Sequence, residues 1–193
     1  LRGHLRRLAA SARLLGFRYD EEDLRRRLEA SVTGARSPRR VKLILPRGGP
    51  PVVETAPAPL PPEQPWRVTL ARDPVDPDLP LLRHKTTCRG LYEAARAGRP
   101  GFDDVLLWNT RGELTESTIA NLALRIGGRW YTPPLSAGLL PGVFRAHLLR
   151  ANRVAERTLH VGDLRSAEAL ALFNSLRGWI PALACPPGDG SIH

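Results

Sequence analysis

The chain has 193 residues, 42% hydrophobic and 25% charged, enough to bury one large core or two small ones. No apolar run approaches the roughly 18 residues that a membrane span requires, and no signal peptide is visible, so no membrane partner is expected. The net charge of +10 raises nucleic acid as a partner, but the arginines are scattered and accompany no nucleic-acid motif, so none is expected.

Leu1, Leu5, Leu8, Ala12 and Leu15 recur at helical spacing, which predicts an amphipathic helix to about Gly16. Asp20 reads as the N-cap of a second helix, with Asp23 three residues on and Leu24 and Leu28 on the buried face. Residues 40–46 and 66–72 read as strands. The proline-rich stretch from Pro50 to Trp66 reads as loop, with at most a short edge strand at Val52 and Val53. The segment Asp73-Pro74-Val75-Asp76-Pro77-Asp78-Leu79-Pro80 is the expected boundary. It would separate a small α+β domain at 1–75 from a larger domain at 81–193. Beyond it, Thr87 is the expected cap of a helix running through Ala97 and stopped by Gly98. Strands are expected at 103–108, 119–125 and 129–131, then a helix opening at Pro141-Gly142 and running to Arg150, then strands near 168–173 and 179–183. Strands outnumber helices, as in a barrel-like or mixed sheet with helices packed outside.

The two cysteines, Cys88 and Cys185, lack metal-ligand spacing. Neither a disulfide framework nor a metal site is expected, and a cytoplasmic location is. The basic residues are more informative. Of 29, only Lys42 and Lys85 are lysine. Arginine serves wherever only positive charge is needed, but its guanidinium stays protonated and cannot attack a carbonyl. Each remaining lysine is therefore a candidate for chemistry. Lys42 sits in a strand-like run where its side chain is expected to face solvent. Lys85 follows the proline-broken linker, and it is the stronger candidate.

Four separated segments carry the remaining signal. They are His4-Leu5-Arg6-Arg7-Leu8 with Ser11-Ala12; His84-Lys85-Thr86-Thr87; Gly112-Glu113-Leu114-Thr115-Glu116 continuing to Asn121-Leu122; and Thr132-Pro133-Pro134-Leu135 continuing to Leu139-Leu140-Pro141-Gly142 and Arg145. In order and content they resemble the class IV aminotransferase family, across nearly the whole chain. The resemblance implies an α+β, fold-type IV enzyme (D-amino-acid aminotransferase-like) that uses pyridoxal 5′-phosphate (PLP). A small N-terminal domain, here without its first strands, would precede a larger barrel-like domain.

By that resemblance Lys85 is the amine that links to the PLP aldehyde, and Glu116 is the acid partner of the pyridine nitrogen. Such a partner keeps the nitrogen protonated so that the ring can absorb carbanion charge. Arg7 matches the family's phosphate arginine. Gly142 and Val143 open a helix whose free amides suit a phosphate, and Gly142 permits close backbone approach. Branched-chain aminotransferases place a threonine hydroxyl next, where this chain has Phe144, so that contact falls to the backbone. Ser175 matches a further phosphate hydroxyl. Lys85 also needs a lowered pKa, expected from partial burial near other cations.

Within the family, His84-Lys85-Thr86-Thr87 with Arg89 and Tyr92 resembles the aminodeoxychorismate lyase domain fused behind the synthase component I of para-aminobenzoate formation. Asn174-Ser175-Leu176-Arg177-Gly178-Trp179 resembles the same group's late strand and turn. Arg177 could then meet a substrate carboxylate, for which its fork of donors is suited; a surface arginine beside a turn is the plainer alternative. The implied reaction converts 4-amino-4-deoxychorismate into 4-aminobenzoate and pyruvate, a step towards folate. The lyase's active-site threonine has no match in the chain. Alternatives are a transaminase acting on branched-chain or D-amino acids, and a catalytically silent domain. The resemblance further implies a small-molecule substrate, a homodimer, and a longer natural protein bearing a synthase component.

Overall fold

The computed structural model describes residues 1–186. They fall into two compact units, one over Leu1–Leu60 and one from Pro61 onward. The boundary therefore lies ahead of the expected one at residues 73–80. The reason is strand pairing: Trp66–Leu70 hydrogen-bonds to strands that come later in the chain, so residues 61–75 belong to the second unit. The last residues of the expected second domain, beyond 186, lie outside the described residues.

In the first unit, α1 (Arg2–Leu15) buries Leu5 and Ala12 and ends at Gly16, where the helix was expected to stop; the φ of 71° there is left-handed. In α2 (Glu21–Ala30) the Asp20 carboxylate accepts the Asp23 amide at 3.1 Å, and Leu24 is buried. Strands β1 (Arg39–Ile44) and β2 (Val52–Pro57) pair antiparallel. β2 is six residues, longer than the short edge strand expected, because its prolines fall before it and at its end. Lys42 is exposed and pairs across the ladder with Glu54 at 3.1 Å, which gives it a surface role.

The second unit is a closed barrel. Its strands are β3 (Trp66–Leu70), β4 (Asp104–Trp108), β5 (Leu114–Ser117), β6 (Asn121–Ile126), β7 (Arg129–Thr132), β8 (Ala155–Glu156), β9 (Ala169–Asn174) and β10 (Gly178–Ala184). Hydrogen bonding runs β5-β4-β3-β10-β9-β6-β7-β8, and a further β5–β6 pairing closes six of these strands into a ring. β3 is parallel to both neighbours, and the other ring contacts are antiparallel. Alternate residues fill the interior: Val68, Leu106, Leu114, Leu122, Leu124, Leu172 and Ile180 are all fully buried.

Helices cover the outer face. Leu91, Tyr92 and Ala95 of α3 (Gly90–Ala97) pack on Ala71, Val105 and Leu107. Phe144, Leu148 and Leu149 of α4 (Val143–Arg150) pack with Ala123, Phe173 and Trp179. The short α5 (Asp163–Ser166) instead packs Leu164 against the interior cluster. Thr87 does not cap α3, which begins at Gly90 with Arg89 at the cap position. Instead the Thr86 hydroxyl accepts the Cys88 amide at 3.2 Å, a local turn that competes with helix initiation and holds the chain just after Lys85.

β5 was not among the expected strands, and its irregularity explains why. Leu106 pairs with Ser117 and Trp108 with Leu114, so three steps along β5 match two along β4. This bulge breaks the period-2 alternation. Leu114 faces the interior, whereas Glu116 reaches Tyr92 on the outer side.

Candidate functional site

Glu116 is a deeply enclosed carboxylate, only 4% of which is exposed. Three donors converge on it. The Tyr92 hydroxyl donates to Oε1 at 2.9 Å, the Asn121 side-chain amide donates to Oε2 at 3.4 Å, and the Leu140 backbone N–H also donates. Asn121 is paired opposite Glu116 on β6, and its Nδ2 also donates to the Leu140 carbonyl at 3.0 Å. Burial pushes the Glu116 carboxyl up to about 7 from its ordinary 4.5, against the opposing pull of Tyr92, Leu140, Lys85 and Arg89. The Tyr92 phenol is itself raised, first by burial and then by the neighbouring Glu116, so it remains a donor.

Lys85 lies within electrostatic reach of Glu116 and lowers its pKa. The lysine is exposed in the single chain, rather than partly buried as its chemistry leads one to expect. Arg89 is fixed more firmly. Its guanidinium donates to the Thr118 carbonyl at 2.6 Å and lies 4.8 Å from the centre of the Tyr92 ring. Thr118 is in turn anchored, because its hydroxyl donates to the wholly buried Asp104 carboxylate. The start of β4, the β5–β6 turn and the first turn of α3 are thereby tied together.

Gly142 enters from the other side. It precedes the first residue of α4, Val143, and no side chain caps that helix. The leading amides of α4 are therefore open donors for an anion. A Cβ at position 142 would overlap the Asn121 Oδ1 and come within 3.3 Å of the Arg145 Cβ. Glycine is thus required by close packing and not by its φ of −64°. Phe144 turns to the aromatic cluster beneath α4, 6.3 Å from Phe173 between ring centres.

Ser175 is exposed in the β9–β10 turn. Asn174 shapes that turn by accepting the Leu176 and Arg177 amides at 2.9 and 2.8 Å. Its own amide donates to Ile119 O at 3.3 Å, which ties the turn to the one following Glu116. Arg177 lies across Trp66, 5.3 Å from the ring centre. Lys85, Glu116, Gly142, Val143, Ser175 and Arg177 are thus all carried by the second unit, around linked turns at one end of its barrel. Arg7 is half-buried on α1 of the first unit. The shallow clefts beside Ser31 and Thr33, and beside Arg27 and Val53, belong to that first unit and contain none of these residues.

Tyr92 is the contact to Glu116 that residue spacing could not reveal. It is 24 positions from Glu116 and meets it only because the bulge turns the carboxylate outward. A tyrosine two residues into the helix that follows Lys85 was the available signal.

The burial of Glu116 makes stability depend on pH. Its folded pKa is raised, so its contribution is fully present below pH 4.5 and lost as pH rises towards about 7. The limit of this loss is about 3 kcal/mol. Glu116→Gln should remove it: in urea unfolding of the cofactor-free chain, the parent weakens between these pH values relative to the variant. Parallel pH profiles for the two proteins would contradict the assignment.

Comparison with known proteins converges on one family. Residues 1–185 match amino-transferase class IV. A Schizosaccharomyces pombe protein, provisionally named an aminodeoxychorismate lyase, is 33% identical over 186 residues, covering 92% of this chain and 80% of its own. A Mesorhizobium loti structure, provisionally named an amino-acid aminotransferase, superposes with a TM-score of 0.89 at 43% identity, covering 95% of this chain and 90% of its own. A Legionella pneumophila structure, provisionally named a 4-amino-4-deoxychorismate lyase, has a TM-score of 0.84 at 27% identity over 94% and 75% of the two chains. These neighbours share the fold-type IV architecture expected from the sequence. The donor set fits the family's cofactor. It offers an amine at Lys85, a buried carboxyl at Glu116 and uncapped helix amides behind a glycine that tolerates no side chain.

Proposed function

The chain belongs to the class IV amino-transferase family, which is PLP-dependent, and from that premise we propose that it is an aminodeoxychorismate lyase. The lyase would convert 4-amino-4-deoxychorismate into 4-aminobenzoate and pyruvate. The observation carrying this reading is the 85–92 segment: Lys85, Arg89 and Tyr92 lead from the lysine amine to the buried Glu116. Its sequence is the lyase-like one, and the S. pombe relative spans nearly the whole chain.

Bound PLP supplies an aldehyde that takes up an amine and a ring that absorbs carbanion charge. The chain's residues do the rest. Glu116, as an ionised carboxylate, would hold the proton on the pyridine nitrogen by accepting its hydrogen bond. Lys85 would provide the amine for that aldehyde, and its neutral Nζ would accept the proton from the substrate carbon bearing nitrogen. Ser175 and the amides of Val143 and Phe144 would hold the phosphate, and Gly142 would let the backbone approach it; Arg7 is a phosphate ligand by sequence resemblance alone. Arg177, spread over Trp66, would meet a substrate carboxylate.

The 43% identity to the M. loti structure favours a second reading, amino transfer between amino and oxo acids. One assay separates the two. The lyase releases pyruvate and 4-aminobenzoate in equal amounts from aminodeoxychorismate with no amino acceptor present. Amino-group exchange with 2-oxoglutarate, without pyruvate release, would overturn the lyase proposal.

A further inference from the structure

We propose that Tyr92 is a positioning residue that favours the ionised form of Glu116 against its burial, and that Arg89 holds Tyr92 in place to do so. The inference rests on Glu116 serving the pyridine nitrogen, and it goes beyond that role by naming what maintains it.

A carboxylate taken out of water strongly favours its neutral form. A neutral Glu116 could not stabilise a positive charge on the ring nitrogen. The opposing groups are few. Those facing Glu116 are Tyr92 and Arg89 from α3 and the residue before it, Lys85 from the preceding loop, Asn121 from β6, and the Leu140 amide ahead of α4. The Tyr92 hydroxyl lies 2.9 Å from Oε1, nearer than the Asn121 amide, which is 3.4 Å from Oε2. Asn121 also divides its amide between Glu116 and the Leu140 carbonyl.

Tyr92 is well placed to act as a fixed donor. Its ring packs with Val105 and Leu107 on the barrel's outer face, and the Arg89 guanidinium lies over it. Arg89 cannot swing away without breaking its 2.6 Å bond to Thr118 O, and Thr118 is anchored on Asp104. The phenol proton therefore points at a carboxylate held opposite it by a bulge. A structural tyrosine would need only the ring, whereas this one spends its hydroxyl on the site's acid.

The test follows the Glu116 carboxyl by 13C NMR in the 193-residue, cofactor-free chain, with Glu116→Gln identifying its resonance. Tyr92→Phe keeps the packing and loses the donor, so the Glu116 midpoint should rise by about one pH unit. Placing 3,5-difluorotyrosine at position 92 makes the phenol a stronger donor, keeps the hydroxyl, and should lower the midpoint. With PLP bound, the visible absorption of Tyr92→Phe should titrate at a correspondingly different pH from the parent. A midpoint unmoved by both replacements overturns the proposal. If Tyr92→Phe fails to fold, the fluorinated chain alone decides. Uptake of PLP by the parent is scored separately: a chain that binds none refutes the functional reading, while the Glu116 midpoint still reports on Tyr92.

Discussion

Lys85→Ala should erase the visible absorption of the PLP-loaded protein and lower turnover at least about a thousandfold, while the circular dichroism spectrum stays unchanged. The large effect follows from two tasks resting on one nitrogen, the covalent link and the proton transfer. Arginine cannot stand in for either, so Lys85→Arg should be as inactive as alanine. The fold should survive because the side chain is exposed and fills no core position. Added small amines offer a sharper check, since they can restore proton transfer without restoring the link. A Lys85→Ala protein with the parent's absorbance and rate would remove the basis of the functional reading.

Gly142→Ala should be nearly as damaging for a different reason. The new methyl would overlap the Asn121 side chain, which cannot simply rotate away. Asn121 is held by Leu140 O at 3.0 Å and contributes to the enclosure of Glu116. Relieving the overlap must shift either Asn121 or the start of α4, so one methyl disturbs both the acid and the uncapped amides. Overpacking of this kind costs about 1–3 kcal/mol of stability. Losing a hydrogen bond to a charged group costs about 1.5–3 kcal/mol, so PLP affinity should fall roughly tenfold to a hundredfold. Thermal unfolding and PLP titration measure the two effects separately. Undiminished affinity in a folded Gly142→Ala protein would show that the Gly142–Asn121 contact has no bearing on the cofactor.

Much of this architecture was readable before any coordinates. The Gly16 stop, the Asp20 cap and most barrel strands follow from local rules, and each of these rules acts over a few residues. The scarcity of lysine singled out Lys85. What stayed hidden depends on non-local pairing. β5 was overlooked because its bulge leaves Leu114, Thr115 and Glu116 with no alternation to detect. Two proline-rich stretches compete as the boundary, and only the partners of β3 decide between them. Thr87 looked like a helix cap, but the hydroxyl next to it closes a turn first. The bond from Tyr92 to Glu116 requires the ring to close before the two side chains can meet.

The ring of strands carries a cost in how it must be assembled. β3 is the first strand of the unit and β10 the last among the described residues, yet they lie side by side in parallel, so neither has that neighbour until synthesis has passed Ala184. Chains of this topology rely on distant contacts and fold slowly, since loop entropy is spent before the pairing rewards it. Removing β10 would leave β3 and β9 as two raw edges open to other chains. A nascent chain halted short of that strand is therefore the species most prone to aggregate.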